Sequence, residues 1–209
     1  MRSNVLSKIS KMDINAMKSN DSKIKKNVEH DSRRHEMVYP FKRQIYSYDC
    51  GASCMETVLT YFGYDEREDH IMKIAGTDKN GTSIEGLLKI AKKFSLKYKT
   101  RDNMTIDDLK KCINRRRPCI TSIQAWGDNA KKNWEDGWRY GHFVVPIAYD
   151  DKNLYFEDPA SDYRTFLSYE EMERRWHDKD VGDRKLIHFG IMFYGRPERF
   201  DDNEMIHMD

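Results

Sequence analysis

Cys50 is the residue of this sequence best placed to do chemistry. It stands in Gln44-Ile-Tyr-Ser-Tyr-Asp-Cys-Gly-Ala-Ser-Cys54, at the first turn of the strongest helical pattern and directly after Asp49, a favourable N-cap. Unpaired backbone N–H groups and the positive end of the helix dipole favour a thiolate there. Gly51 permits close approach to the backbone at the same point. A nucleophilic thiolate needs a base, a group to orient that base, and donors for the oxyanion formed on attack. His142, which follows Gly141 at the opening of an apolar strand, is the candidate base. Asp158, which ends the next strand just before Pro159, is the candidate orienter. An antiparallel hairpin turning near Asp151 would bring the end of one strand beside the start of the other. The carboxylate could then fix the imidazole tautomer and stabilise its charged form. Gln44 could supply a side-chain amide donor beside the Cys50 N–H.

Rival residues fit these roles less well. Cys54, Cys112 and Cys119 read as buried thiols, the usual state of cysteine. His70 lies among charges, His177 follows Trp176 at a helix end, and His188 lies inside the last strand. None has an acidic partner placed by a hairpin; Trp176-His-Asp178 could reach the rim of a cleft but is not counted among the site residues. Zinc is disfavoured because Cys50-x3-Cys54 and Cys112-x6-Cys119 lack the tight Cys-x2-Cys knuckle. No metal or cofactor is expected. Arg115-Arg-Arg117 reads as a solvated helix end.

The elements that must position these groups are legible in outline. Ala52, Met55, Val58, Leu59 and Phe62 fall at helical spacing, and Gly63 stops the run. Asp65 to Ala75 reads as a second helix ended by Gly76, and Thr82-Ser-Ile-Glu85 as a capping box opening a third. Thr105-Ile-Asp-Asp108 opens another, and Ser168-Tyr-Glu-Glu171 one more, running to about Trp176. Strands are expected at Cys119–Ile123, His142–Tyr149, Asn153–Glu157 and Lys185–Tyr194. Pro146 must sit at a bulge or on an unpaired edge. Helices first and antiparallel strands second make an α+β arrangement.

Composition bounds the rest. The 209 residues suit one domain with appendages. Lys and Arg number 37 against 35 Asp and Glu, which argues against a protein built to hold nucleic acid. No apolar run approaches the roughly 18–20 residues of a membrane span. The N-terminus lacks a compact apolar signal region, so a cytoplasmic setting with reduced thiols is expected. Residues 1–37 contain no Phe or Trp and read as a polar, flexible tail; 38–196 form the domain and 197–209 a second polar tail. A pro-segment or a short partner helix near Val5–Met17 are the sharper readings of the first tail.

Taken together, Gln44-x5-Cys50-Gly-Ala-x-Cys54, Gly81-Thr-Ser83, Gly141-His142-Phe-Val-Val and Asp158-Pro159 resemble the C39-type papain-like cysteine peptidases. The resemblance covers about residues 41–160 and, more weakly, those up to Tyr194. It implies an α+β papain-like fold, with a helical half packed on an antiparallel sheet. It makes Cys50 the nucleophile, His142 the base, Asp158 the orienter and Gln44 the oxyanion donor, with a peptide or protein substrate. Family members fused to exporters cleave leader peptides after Gly-Gly. Trp126–Trp138 is long for those members and more similar to stand-alone C39-like hydrolases, as packing or as a lid with aromatic subsites. Deamidation, transglutamination or isopeptide cleavage on the same machinery, or a peptide-binding module without turnover, remain open.

Overall fold

The computed structural model describes residues 35–127 and 133–208. The expected tail therefore lies outside the described residues up to residue 34, as does the middle of the Trp126–Trp138 segment. In chain order the elements are β1 (His35–Glu36), α1 (Cys50–Tyr61), α2 (Glu68–Ala75), α3 (Ile84–Lys93), β2 (Lys97–Arg101), α4 (Ile106–Asn114) and β3 (Cys119–Gln124). They continue with β4 (Gly141–Tyr149), β5 (Asn153–Glu157), β6 (Thr165–Ser168), α5 (Tyr169–Arg175), β7 (His177–Lys179), β8 (Lys185–Ile187) and β9 (Gly190–Tyr194). The main sheet runs β2-β9-β3-β4-β5-β6, with β1 paired to the far end of β4, and each of these pairings is antiparallel. The architecture is α+β, as the sequence led us to expect.

Several helix ends have a local cause. Thr105 and Ser168 close reciprocal capping boxes with Asp108 and Glu171. Gly76 ends α2 in the left-handed conformation at φ 71°. The α3 cap corrects the sequence reading: Ser83, not Thr82, accepts from the Gly86 N–H, and Glu85 pairs with Lys89 on the surface. Thr82 instead turns inward, its hydroxyl 2.8 Å from that of Thr77.

The last strand corrects it further. The chain breaks at His188, where φ is +46°, so that β8 leaves to pair with β7 in a separate two-stranded sheet and only β9 joins the main one. Edge strand β2 interrupts the helical half and pairs with β9. Its exposed side chains lack the apolar alternation from which strands were inferred.

Central strand β4 is buried from His142 to Ala148, and α1 packs against it. Its hairpin with β5 is nucleated by Asp150, whose carboxylate accepts from the N–H groups of Lys152 and Asn153 at 2.7 Å. Near that turn Tyr149 opposes Leu154 and Ala148 opposes Tyr155, but beyond it Pro146 opposes Phe156 and Val145 opposes Glu157. Ile147 is therefore an extra residue in β4, a bulge next to the proline that cannot donate to the ladder. The Ile147 carbonyl accepts from Met37 N–H at 2.8 Å, and the Met37 side chain is fully buried. The packed unit thus begins before residue 38. It also runs past 196, where Arg199 and Phe200 donate to the Tyr61 carbonyl and Glu198 pairs with Arg116.

Candidate active site

The register places the site. Continuing the pairing of Val145 with Glu157 sets Val144 opposite Asp158, and His142 shares the Val144 face by the two-residue period of a strand. His142 and Asp158 are then diagonal neighbours on one face, within side-chain reach. Their side chains meet, with His142 Nε2 2.7 Å from Asp158 Oδ1. Both are buried. Asp158 also accepts from Ala160 N–H at 2.9 Å, Trp126 Nε1 at 3.0 Å and Thr165 Oγ1 at 3.1 Å. Burial alone would raise its pKa; the hydrogen bond and charge of His142, with the Ala160 and Thr165 bonds, outweigh that and hold it below the usual carboxylate value.

Cys50 completes the group. It is the first residue of α1 and is partly exposed, whereas Cys54, Cys112 and Cys119 are buried. Burial pulls the His142 pKa down, but hydrogen bonds to Asp158 and Cys50 and the charges of both lift it to about 9. With Nε2 committed to Asp158, Nδ1 is the ring nitrogen left for the thiol. The neighbouring Cys54 thiol donates to the Phe143 carbonyl at 3.3 Å, and burial drives its pKa well up. The Cys50–Cys54 spacing thus separates an accessible sulfur from one locked into the strand.

Asp49 differs from expectation. It occupies the N-cap position, but its side chain does not cap the helix. Fully buried, it turns back to accept from Ile45 N–H at 3.1 Å and Tyr46 N–H at 3.0 Å, closing the loop that carries Gln44. Gln44 is tied to the site through its backbone, donating to the Pro159 carbonyl at 3.0 Å. Its side-chain amide donates to Tyr46 O at 2.6 Å. A primary amide has a second N–H beyond that bond.

A cavity of about 330 Å³ opens beside Cys50, lined by Tyr48, Gly81, Thr82, Gly141, Phe143 and Asp178 among others. Gly51 lets α1 approach Thr82, since a Cβ there would lie 2.8 Å from Thr82 Cβ and 3.1 Å from Phe143 Cδ2. Gly141 makes room for the Asp178 carboxylate, which accepts from Ser122 Oγ at 2.5 Å, Lys179 N–H at 2.8 Å and Gln124 Nε2 at 3.3 Å. Burial raises the Asp178 pKa against those bonds. Asp178 lines this cavity, at the cleft rim that the Trp176-His-Asp178 segment could reach. It arrives on β7, a three-residue strand too short to leave a periodic signal.

The other histidines stand elsewhere. His70 pairs with Glu66 at 2.8 Å, His177 Nε2 lies 2.7 Å from the Gly137 carbonyl, and the His188 ring stacks on Trp176 at 4.9 Å. Among the described residues no group of three or more His, Cys, Asp or Glu is arranged to hold a metal ion. None of their helices is long and apolar enough to cross a membrane.

Comparison with known proteins bears on the family and the fold. The sublancin-168-processing and transport ATP-binding protein SunT of Bacillus subtilis is 26% identical over 141 residues, 66% of this chain but 18% of that protein. The chain thus spans under a fifth of the length of that relative. The peptidase domain of Streptococcus ComA, a bi-functional ABC transporter involved in quorum sensing, superposes with a TM-score of 0.56 at 21% identity, covering 76% of this chain and 100% of that one. A double-glycine-motif protease from an AMS/PCAT transporter, solved with its leader peptide, superposes at 0.52 with 21% identity over 76% of this chain and 92% of the other. At these identities the two structures speak for the fold. The model of the peptidase C39 family matches residues 38–180, and the chain belongs to that family.

Proposed function

We propose that the protein is a cysteine peptidase that hydrolyses peptide bonds through Cys50, His142 and Asp158. The observation that carries this reading is the contiguous arrangement of an accessible thiol at a helix mouth, an imidazole and a buried carboxylate. In this mechanism His142 holds the thiol proton as an imidazolium, and the Cys50 sulfur attacks the amide carbonyl. The oxyanion sits between the second amide N–H of Gln44 and the Cys50 N–H, one of the donors that a helix start leaves without an intrahelical acceptor. His142 then protonates the departing amine. Water, deprotonated by the same ring, hydrolyses the thioester and restores the thiol.

The substrate in this reading is a leader-type peptide with small residues at the cut. Gly81, Thr82 and Gly141 are among the residues that line the cavity beside Cys50, and a glycine pair could lie against them. The leader peptide bound to the AMS/PCAT protease supports the same substrate class. We assign catalysis to residues 35–200, with the flanking segments as appendages. Four free thiols suit a reducing compartment such as the cytoplasm.

The test incubates the full-length protein with a double-glycine leader peptide and a mixed peptide library, read by mass spectrometry, with Cys50→Ala as control. Split chains that vanish in the control support the peptidase. Products of altered mass with the chain unbroken would point instead to deamidation or transfer on the same thioester.

A further inference from the structure

Asp158 also lines a second cavity of about 260 Å³, together with Ile123, Trp126, Phe156, Phe166 and Leu167, and with Ala125, Thr165, Glu171 and Arg175; Cys50 is not among its walls. Its floor is core, since Phe156 is 1% and Ile123 3% exposed. Its flanks are not: Trp126 is 58% and Phe166 60% exposed. Two large aromatic side chains left in water beside an apolar floor forgo burial free energy that an occupant would recover.

Trp126 is held in this place deliberately. Its φ is +56°, a left-handed backbone conformation costly for a bulky residue. The strained backbone delivers the indole N–H to Asp158 Oδ2 at 3.0 Å while the ring stays at the cavity edge. Most polar groups of the cavity are already engaged, the exception being Arg175 Nε, which is buried without a hydrogen-bond partner. Glu171 accepts from Ser168 N–H and Oγ at 3.0 Å, Thr165 donates to Asp158, and the Arg175 guanidinium lies 4.3 Å from the Trp134 ring centre and 3.7 Å from Glu171.

Asp158 thus belongs to both the hydrogen-bonded pair and this cavity, and the imidazole of His142 stands between the cavity and the sulfur. The geometry points to a substrate subsite here that takes an apolar side chain, aromatic or large aliphatic, on the opposite side of the cut from the residues held beside Cys50. The occupant packs between Trp126 and Phe166 over Phe156. This inference rests on the peptidase reading and gives it a second specificity element besides the small-residue cleft.

The experiment profiles cleavage of a mixed peptide library by the full-length protein and by Trp126→Ala, Trp126→Phe and Phe166→Ala. In parallel, Cys50→Ala protein and its Trp126→Ala double variant are tested for binding to the same library. The expected result is an apolar preference of tenfold or more at one position within two residues of the cut. Trp126→Ala and Phe166→Ala flatten it, and Trp126→Phe, which keeps a ring, retains most of it. Cleavage with no such preference, or with an acidic preference drawn by Arg175, overturns the subsite and leaves the peptidase reading intact. If no peptide is cut, an apolar preference in binding by Cys50→Ala that Trp126→Ala removes sustains the subsite while the peptidase reading falls. Neither cleavage nor selective binding overturns both.

Discussion

His142 and Asp158 face one another because β4 carries one residue more than β5 between Pro146 and Ala148. Extending the register near the turn would set Asp158 opposite Val145, and a one-residue slip moves a side chain to the other face of the sheet. The bulge at Ile147 restores the face that His142 occupies, and the two side chains close to 2.7 Å. Deleting Ile147 is therefore expected to disengage the pair. Loss of orientation at a catalytic histidine costs roughly 10⁴-fold in kcat. If circular dichroism shows the variant folded, its peptide turnover should match that of Asp158→Ala; retained turnover would show that the register does not set the pair.

Protonation links this pair to stability. The folded His142 pKa of about 9 lies above its ordinary 6.5, so the stability it contributes is present below pH 6.5 and lost as pH rises through 9. Asp158 shifts the other way, and its contribution is lost on acidification below its ordinary value of 3.8. Thermal melts of the wild type should fall between pH 7 and 10 by more than those of His142→Gln. Equal slopes would contradict the shift.

Two glycines set how closely the site packs. Alanine is ordinarily favoured over glycine within a helix by about 0.5–1 kcal/mol. At Gly51 the added Cβ would meet Thr82 and Phe143, and overpacking of about 1–3 kcal/mol decides the sign against alanine. At Gly141 the Cβ would overlap the Asp178 carboxylate and break its bonds to Ser122 and Gln124. Denaturant unfolding should rank wild type above Gly51→Ala, with Gly141→Ala lowest.

The α3 cap offers a direct check on local structure. Ser83→Ala should cost about 1 kcal/mol, the usual worth of an N-cap side chain. Glu85→Ala, which removes an exposed pair with Lys89, should cost only a few tenths. The reverse ranking would restore the cap to Thr82.

Much of this arrangement was legible from the residues themselves. Cys50 at a helix start, the Asp150 hairpin and Pro146 at a bulge all follow from local rules of capping, turn chemistry and ladder donation. What stayed hidden is non-local or very short. Asp178 reaches the cleft on a three-residue strand, and Trp126 meets Asp158 from a loop with no periodic signal. Asp49 looked like a cap because spacing cannot distinguish a carboxylate turned forward to the helix from one turned back to Ile45 and Tyr46.

The most direct test of the central claim is the rate at which each cysteine is alkylated by iodoacetamide near neutral pH, quantified by peptide mass spectrometry in wild type, His142→Ala and Asp158→Asn. Cys50 should react far faster than Cys54, Cys112 and Cys119, and both substitutions should slow it, His142→Ala by about tenfold or more. Equal labelling of all four thiols, or a Cys50 rate indifferent to His142, would contradict the account.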